Sequence, residues 1–214
     1  MSHRHRSLSS SSRLLRRKAH PIAIAPILLS ATLLLPSAHA IADDGQSGSS
    51  ASGTGLRSPY KPLAFFVQAG TADRVTSVTG GWVWSLLDER PDSRWSAHLD
   101  ASLSVWKSRR RTPDDTGSLA QVALIPVFRA RLGQSPWFAE VGVGVTFMSH
   151  VFRNADTRFS TSFNFGDEIG IGRTFGDASR NEVSLRLEHF SNAGIRNPNP
   201  GRTFLQLRYV RRFD

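Results

Sequence analysis

The stretch WFAEVGVGVTFM, residues 137–148, alternates so regularly that it dictates its own local structure. Trp137, Ala139, Val141, Val143, Val145 and Phe147 share one parity, and Phe138, Glu140, Gly142, Gly144, Thr146 and Met148 share the other. Successive side chains of a strand point to opposite faces, whereas a helix would space its apolar residues three and four apart. The stretch therefore predicts a β-strand with one wholly apolar face and one face of glycine, threonine and a carboxylate.

The same rhythm extends in both directions. In WSAHLDASLSVW (95–106), Trp95, Ala97, Leu99, Ala101, Leu103 and Val105 oppose Ser96, His98, Asp100, Ser102, Ser104 and Trp106. In AQVALIPVFRARL (120–132), the apolar face is Val122, Leu124, Pro126, Phe128, Ala130 and Leu132. Strands are expected at 63–71, 75–87, 94–107, 119–132, 136–148, 160–175, 181–191 and 203–213. Two architectures suit such strands: a soluble sandwich or lipocalin-like barrel with the apolar face inside, or an outer-membrane barrel with that face toward lipid.

Three features favour the membrane. The polar face carries His98, Asp100, Arg129, Arg131, Glu140, Glu168, Arg186, Glu188, Arg208 and Arg212, enough opposite charges to neutralise one another in a narrow lumen. Connections alternate between short (DERPDSR, GQSP, GDASR) and long (108–118, 149–159, 192–202), the rhythm of short periplasmic turns and long outer loops, with one short outer connection near Thr71–Arg74. Trp84, Trp95 and Trp137 fall at strand ends on the short-turn side, where an aromatic girdle belongs. The expected fold is all-β, an eight-stranded antiparallel transmembrane β-barrel of the outer membrane over residues 59–214.

The preceding residues read as export machinery. A basic segment, RLLRRK (13–18), precedes an apolar run from Pro21 to Pro36 and the small-residue end SAHA (37–40), the order of a secretory signal peptide. Cleavage is expected after Ala40, with Ala42 as the alternative, and Pro26 and Pro36 interrupt a run too short for a membrane anchor. Residues 41–58 are Gly/Ser-rich, a composition that predicts a flexible linker. The leader holds six of the 27 Lys and Arg residues and no acid, leaving 21 basic against 17 acidic groups. Most of the apparent basicity is thus a targeting device, and a nucleic-acid partner loses its support. The chain has no cysteine, which excludes disulfides and thiolate chemistry.

One strand departs from the pattern. In EVSLRLEHFSNAGIRNPNPG (182–201), Val183, Leu185 and Leu187 define the apolar face, and His189 and Ser191 then continue it. The pair is expected near the extracellular rim, at outer-leaflet depth, facing lipid. A rim position near headgroups tolerates polar groups, which is the bland explanation. The sharper one is an acyl-transfer site, in which an imidazole takes the hydroxyl proton and the oxygen attacks an ester carbonyl.

LEHFSNAGIRNPNPG, followed by the amphipathic final stretch LQLRYVRRFD and preceded by FNFGDEIGIG (163–172), resembles the PagL family of lipid A 3-O-deacylases. The likeness runs from the first strand onward and is sharpest in H-x-S-N-A. It implies an eight-stranded outer-membrane barrel with a Ser-His-Glu triad on its exterior, hydrolysing the ester-linked acyl chain at position 3 of lipid A without a cofactor. It implies Ser191 as nucleophile and His189 as general base, with Asn192 helping to arrange the oxyanion site. The family's glutamate, at the start of the last strand, is missing: the region reads GRTF, Gly201 to Phe204, with Thr203 pointing outward and expected, with Asn192, to help position the substrate or its oxyanion. A substitute acid is in view. If the GDASR hairpin centres near Ala178, Asp167 lies directly across from His189, with Cβ atoms about 5 Å apart.

Arg109, Arg110 and Arg111 sit on a long outer loop, where they could grip lipid A phosphates or merely be solvated. The inward His98, Asp100, Glu140 and Glu188 need no chemistry beyond a polar lumen, and no compact ligand spacing predicts a metal. The expected partners are lipopolysaccharide as substrate and the outer-membrane bilayer, with room for a homodimer. Two other classes stay open: a non-catalytic barrel for adhesion or envelope integrity, and an acyltransferase using the same Ser-His pair.

Overall fold

The computed structural model describes residues 61–87, 93–155 and 157–213. The expected signal peptide, its cleavage site, the linker and most of DERPDSR lie outside the described residues. The strands are β1 (Ala64–Ala72), β2 (Val75–Leu87), β3 (Trp95–Ser108), β4 (Ser118–Arg131), β5 (Trp137–Met148), β6 (Arg153–Asn154), β7 (Thr157–Arg158), β8 (Phe163–Phe175), β9 (Asn181–Ser191) and β10 (Arg202–Arg212). Eight of them close a barrel in the order β1-β10-β9-β8-β5-β4-β3-β2, every neighbour antiparallel, and the first strand pairs with the last from Ala64↔Arg212 to Thr71↔Leu205. Closure leaves no strand edge, the condition for crossing a bilayer with β-structure.

Parity decides which side each residue meets. Val141, Val143, Val145 and Phe147 stand on the outer surface, while Phe138, Glu140 and Met148 are buried within. Of the three expected girdle residues, Trp95 and Trp137 are exposed on the outer wall at the short-turn end and Trp84 is half-buried, while Trp82 is exposed near the middle of β2. The apolar exterior and polar interior are the inverse of a soluble barrel and match an outer-membrane one.

The lumen is filled by ion pairs that cross it. Arg186 donates to Glu140 at 2.7 Å, Glu168 at 2.7 Å and Asp100 at 3.2 Å. Arg129 pairs with Glu140 at 3.1 Å and Glu182 at 2.8 Å, and Arg208 grips both oxygens of Asp100. Gln68 and Gln206 donate to the two oxygens of Glu188 at 2.9 and 3.0 Å. Buried charges are tolerable only with such partners. Glycines on the inward face make room for these long side chains: a Cβ on Gly170 would sit 2.9 Å from Arg186 Cγ.

Toward the long-loop end the polar lumen gives way to an aromatic plug. Val75, Trp106, Leu119, Met148, Phe152, Phe159, Phe190 and Phe204 form one buried cluster, with Trp106 packed 4.6 Å from Phe204 and 5.3 Å from Phe190, centroid to centroid. Phe152 and Phe159 belong to the connection between β5 and β8, which contains the small β6–β7 hairpin. The strand expected from residue 160 therefore begins at Phe163. Two-residue strands have no period to read, so this hairpin escaped the alternation argument.

Candidate functional site

The outer wall of β8, β9 and β10 carries the site at its long-loop end. On β9, Val183, Leu185 and Leu187 are exposed to the lipid side, and His189 and Ser191 follow at the same parity. Between them, Phe190 turns inward into the plug. The strand's apolar inner anchor and polar outer pair are thus one alternation seen from two sides.

The register places two partners beside the imidazole. Asp167 on β8 and Thr203 on β10 are the direct cross-strand neighbours of His189. The GDASR connection forms a tight turn over Asp177–Ser179 with Ala178 at φ 51°, so the expected symmetry about Ala178 holds. Thr203 Oγ1 lies 2.8 Å from His189 Nδ1, a hydrogen bond. Asp167 is an electrostatic neighbour of the ring, but among the described residues it makes no hydrogen bond or ion pair with it.

Ser191 is nearly covered, at 9% exposure, opposite Phe165 of β8. Its Oγ accepts a long contact from the Ala193 N–H at 3.5 Å. Ser191 and His189 share a face but make no hydrogen bond to each other among the described residues. Their Cα atoms stand about 6.6 Å apart along the strand. Continuing the register past Arg202↔Phe190 brings Gly201 level with Ser191. A Cβ on Gly201 would lie 2.7 Å from His189 Nε2 and 2.5 Å from Cε1, so the ring's second nitrogen points to the tier of Ser191. Gly201, at φ 64°, both permits the turn and leaves the ring its space.

Asn192 is buried and fully occupied. Its Nδ2 donates to Ser160 Oγ at 2.9 Å, Thr161 Oγ1 at 3.2 Å and the Arg196 carbonyl at 2.8 Å, and its Oδ1 accepts from the Gly194 N–H at 3.0 Å. The side chain holds two loops together. Arg109, Arg110 and Arg111 are exposed on the β3–β4 loop, separated from β9 by β8 and β5 along the wall.

A second Ser-His contact was not foreseen: Ser149 Oγ lies 3.0 Å from His150 Nδ1 in an exposed loop. Adjacent residues reverse direction in a strand, so spacing alone gave no signal for it. Ser149 Oγ also accepts from the Ala120 N–H at 3.1 Å, a structural tie. Among the described residues no third group orients that imidazole, and no cluster of His, Cys, Asp and Glu could hold a metal.

The family model described as Lipid A 3-O-deacylase (PagL) matches residues 74–212. Lipid A deacylase PagL of Bordetella bronchiseptica is 40% identical over 134 residues, covering 62% of this chain and 67% of that protein. Lipid A deacylase PagL of Pseudomonas aeruginosa is 32% identical over 110 residues, covering 50% of this chain and 60% of that protein. The crystal structure of the outer membrane enzyme PagL superposes with a TM-score of 0.58 at 24% identity, covering 70% of this chain and 99% of that one, a likeness of fold.

Proposed function

The chain belongs to the PagL family of lipid A 3-O-deacylases, and from that premise we propose that it hydrolyses the ester-linked acyl chain at position 3 of lipid A with Ser191 and His189. The observation that supports the reading is the parity of the pair: His189 and Ser191 continue the outward set Val183, Leu185 and Leu187, on the side where a lipid ester arrives laterally, with the imidazole half-buried and Ser191 covered at the loop end of the strand. Family membership does not favour the adhesion barrel or the acyltransferase.

The chemistry follows from the hydrogen bonds. With Nδ1–H donated to Thr203 Oγ1, Nε2 keeps the lone pair and faces the Ser191 tier. As Ser191 Oγ attacks the ester carbonyl, Nε2 takes its proton, then returns it to the departing sugar oxygen, leaving an acyl-serine. Water attacks the acyl-serine by the same route in reverse, giving a free fatty acid and restoring Ser191. A small rotation of the serine or imidazole on substrate binding closes the proton path, since catalytic hydrogen bonds are commonly long before substrate arrives.

Thr203 stands where the family carries its acid, and it fixes the tautomer without supplying charge. Asp167, on the opposite flank, faces the imidazolium that forms and stabilises it through space. The oxyanion falls to the Ala193 N–H, which already points at Ser191 Oγ. Asn192 holds the turn that aims it, its own amide hydrogens being engaged elsewhere. Arg109, Arg110 and Arg111 remain candidates for lipid A phosphate.

Residues 1–40 are the export signal in this reading, removed after Ala40, and the long loops face the cell exterior. Mass analysis of lipid A from Gram-negative cells expressing the chain tests the activity. Loss of one hydroxyacyl group is expected; an unchanged mass would leave a silent barrel, and a gain would make it an acyltransferase.

A further inference from the structure

The β6–β7 hairpin has two faces, and the activity described so far uses neither. Phe152 and Phe159 point down into the plug, 5.9 Å apart and edge to face. By strand alternation Arg153 and Arg158, direct cross-strand partners, both point the other way, and both are exposed. Like charges directly opposite on a ribbon repel. Among the described residues neither guanidinium has a carboxylate partner. A two-stranded hairpin this short has no independent stability, so the fold holds a repulsive pair in place.

It does so through ties to the neighbouring loops. The Thr116 N–H donates to the Arg153 carbonyl at 2.7 Å, and the Arg153 N–H donates to Thr116 Oγ1 at 3.0 Å, which clamps the hairpin to the loop bearing Arg109 to Arg111. On that loop Asp115 is spent internally, accepting from the Arg111 and Thr112 N–H groups at 2.7 and 3.1 Å. On the other side Ser160 Oγ donates to the Arg196 carbonyl at 2.7 Å, and Asn192 Nδ2 reaches both Ser160 and Arg196. Three loops therefore form one hydrogen-bonded platform, joined to the nucleophile strand through the residue after Ser191. Ser160 is two residues from Arg158, about 6.6 Å of extended chain.

We infer that Arg153 and Arg158, with Arg196, form an anion site above Ser191 that takes a phosphate of the lipid A headgroup and sets the depth at which the acyl ester meets the nucleophile. The inference rests on the deacylase reading for the ester and adds the group that anchors the substrate. Arg suits the task because its planar fork grips phosphate oxygens two at a time. A phosphate between the two guanidiniums converts their repulsion into two attractions, and the platform lies at headgroup level while the ester lies below it in the hydrocarbon. Asn192 couples the levels: the side chain that fixes the turn after Ser191 also fixes the loops that carry the cations.

The test separates binding from turnover. The full chain is reconstituted in phosphatidylcholine nanodiscs in the Ser191→Ala background, and binding of fluorescent bisphosphorylated lipid A is measured beside its dephosphorylated form. Arg153→Gln with Arg158→Gln should weaken the phosphorylated lipid about tenfold and leave the dephosphorylated one unchanged, a difference near 1.4 kcal/mol. Raised salt should shrink the preference, since the site is open to water. Inorganic phosphate at equal concentration should not displace the lipid; displacement would assign the platform to free anions. Equal effects on both lipids, or none, would overturn the inference, with retained heat-modifiable gel mobility showing that the variant has folded. Turnover is measured separately with Ser191 present. Phosphate-dependent binding without acyl release would sink the deacylase reading and spare the platform; acyl release with binding unaffected by the arginines would do the reverse.

Discussion

Thr203→Val removes the hydroxyl that holds the imidazole proposed as general base and changes little else, because the side chain faces outward and its β10 neighbours Phe204 and Arg202 anchor the strand from inside. The magnitude can be worked from the one contact, the 2.8 Å hydrogen bond between His189 Nδ1 and Thr203 Oγ1. A hydrogen bond to the neutral ring contributes roughly 1 kcal/mol, and one to the imidazolium of the transition state about 2 kcal/mol, a differential near 1 kcal/mol. Releasing the ring to other rotamers and to the second tautomer costs about another 1 kcal/mol in ordering. Together these give roughly 2 kcal/mol, about thirtyfold in kcat. KM should stay within a factor of about two, since the lost bond is strengthened only in the transition state. Thr203→Glu should act in the opposite direction. A charged acceptor gains about 1 kcal/mol over a neutral one, some fivefold in kcat. The assay is steady-state release of fatty acid from lipid A in mixed micelles by the purified chain, with Ser191→Ala as the blank. A valine variant within twofold of wild type would refute the reasoning, as would a glutamate variant that is folded but inactive.

Three further outcomes follow from the same geometry. Gly201→Ala introduces a Cβ 2.5 Å from His189 Cε1 at a backbone φ of 64°, and should cost about a hundredfold in kcat by displacing the ring, a loss visible in the same micelle assay. Asp167→Asn removes a charge that faces the imidazolium without bonding it, so kcat should fall only about three- to tenfold; loss as large as that of Ser191→Ala would make Asp167 a bonded triad member instead. Arg186→Ala leaves Glu140, Glu168 and Asp100 without their shared cation and should destabilise the barrel by about 3–5 kcal/mol in urea unfolding from lipid vesicles.

What could be read from the residues was whatever parity controls. Alternation in WFAEVGVGVTFM separated the lipid wall from the lumen, and counting from Ala178 set Asp167 against His189, because register in a hairpin follows from its turn. Parity gives direction and tier but not the partner a side chain finds there. It put Thr203 on the outer face without revealing that its hydroxyl meets Nδ1. It put Arg186 in the lumen without showing that three carboxylates converge on it. The loops were least legible. Phe152 and Phe159 read as loop residues although they close the aromatic plug, and the resemblance that set Asn192 beside the oxyanion site did not reveal that its amide hydrogens tie Ser160, Thr161 and Arg196 together. The ties from Asn192 to Ser160 and Thr161 span about thirty residues of sequence and leave no local signal.

The central claim is that Ser191, on the lipid face, is the nucleophile. An alkyl fluorophosphonate delivered through the bilayer reports this directly, because the attacking serine displaces fluoride and keeps the phosphonyl group, which peptide mass spectrometry then locates. A single adduct on Ser191, absent in Ser191→Ala and slowed in His189→Ala, is the predicted result. An adduct on Ser149 beside His150, or none on Ser191 in a preparation that still deacylates lipid A, would contradict it.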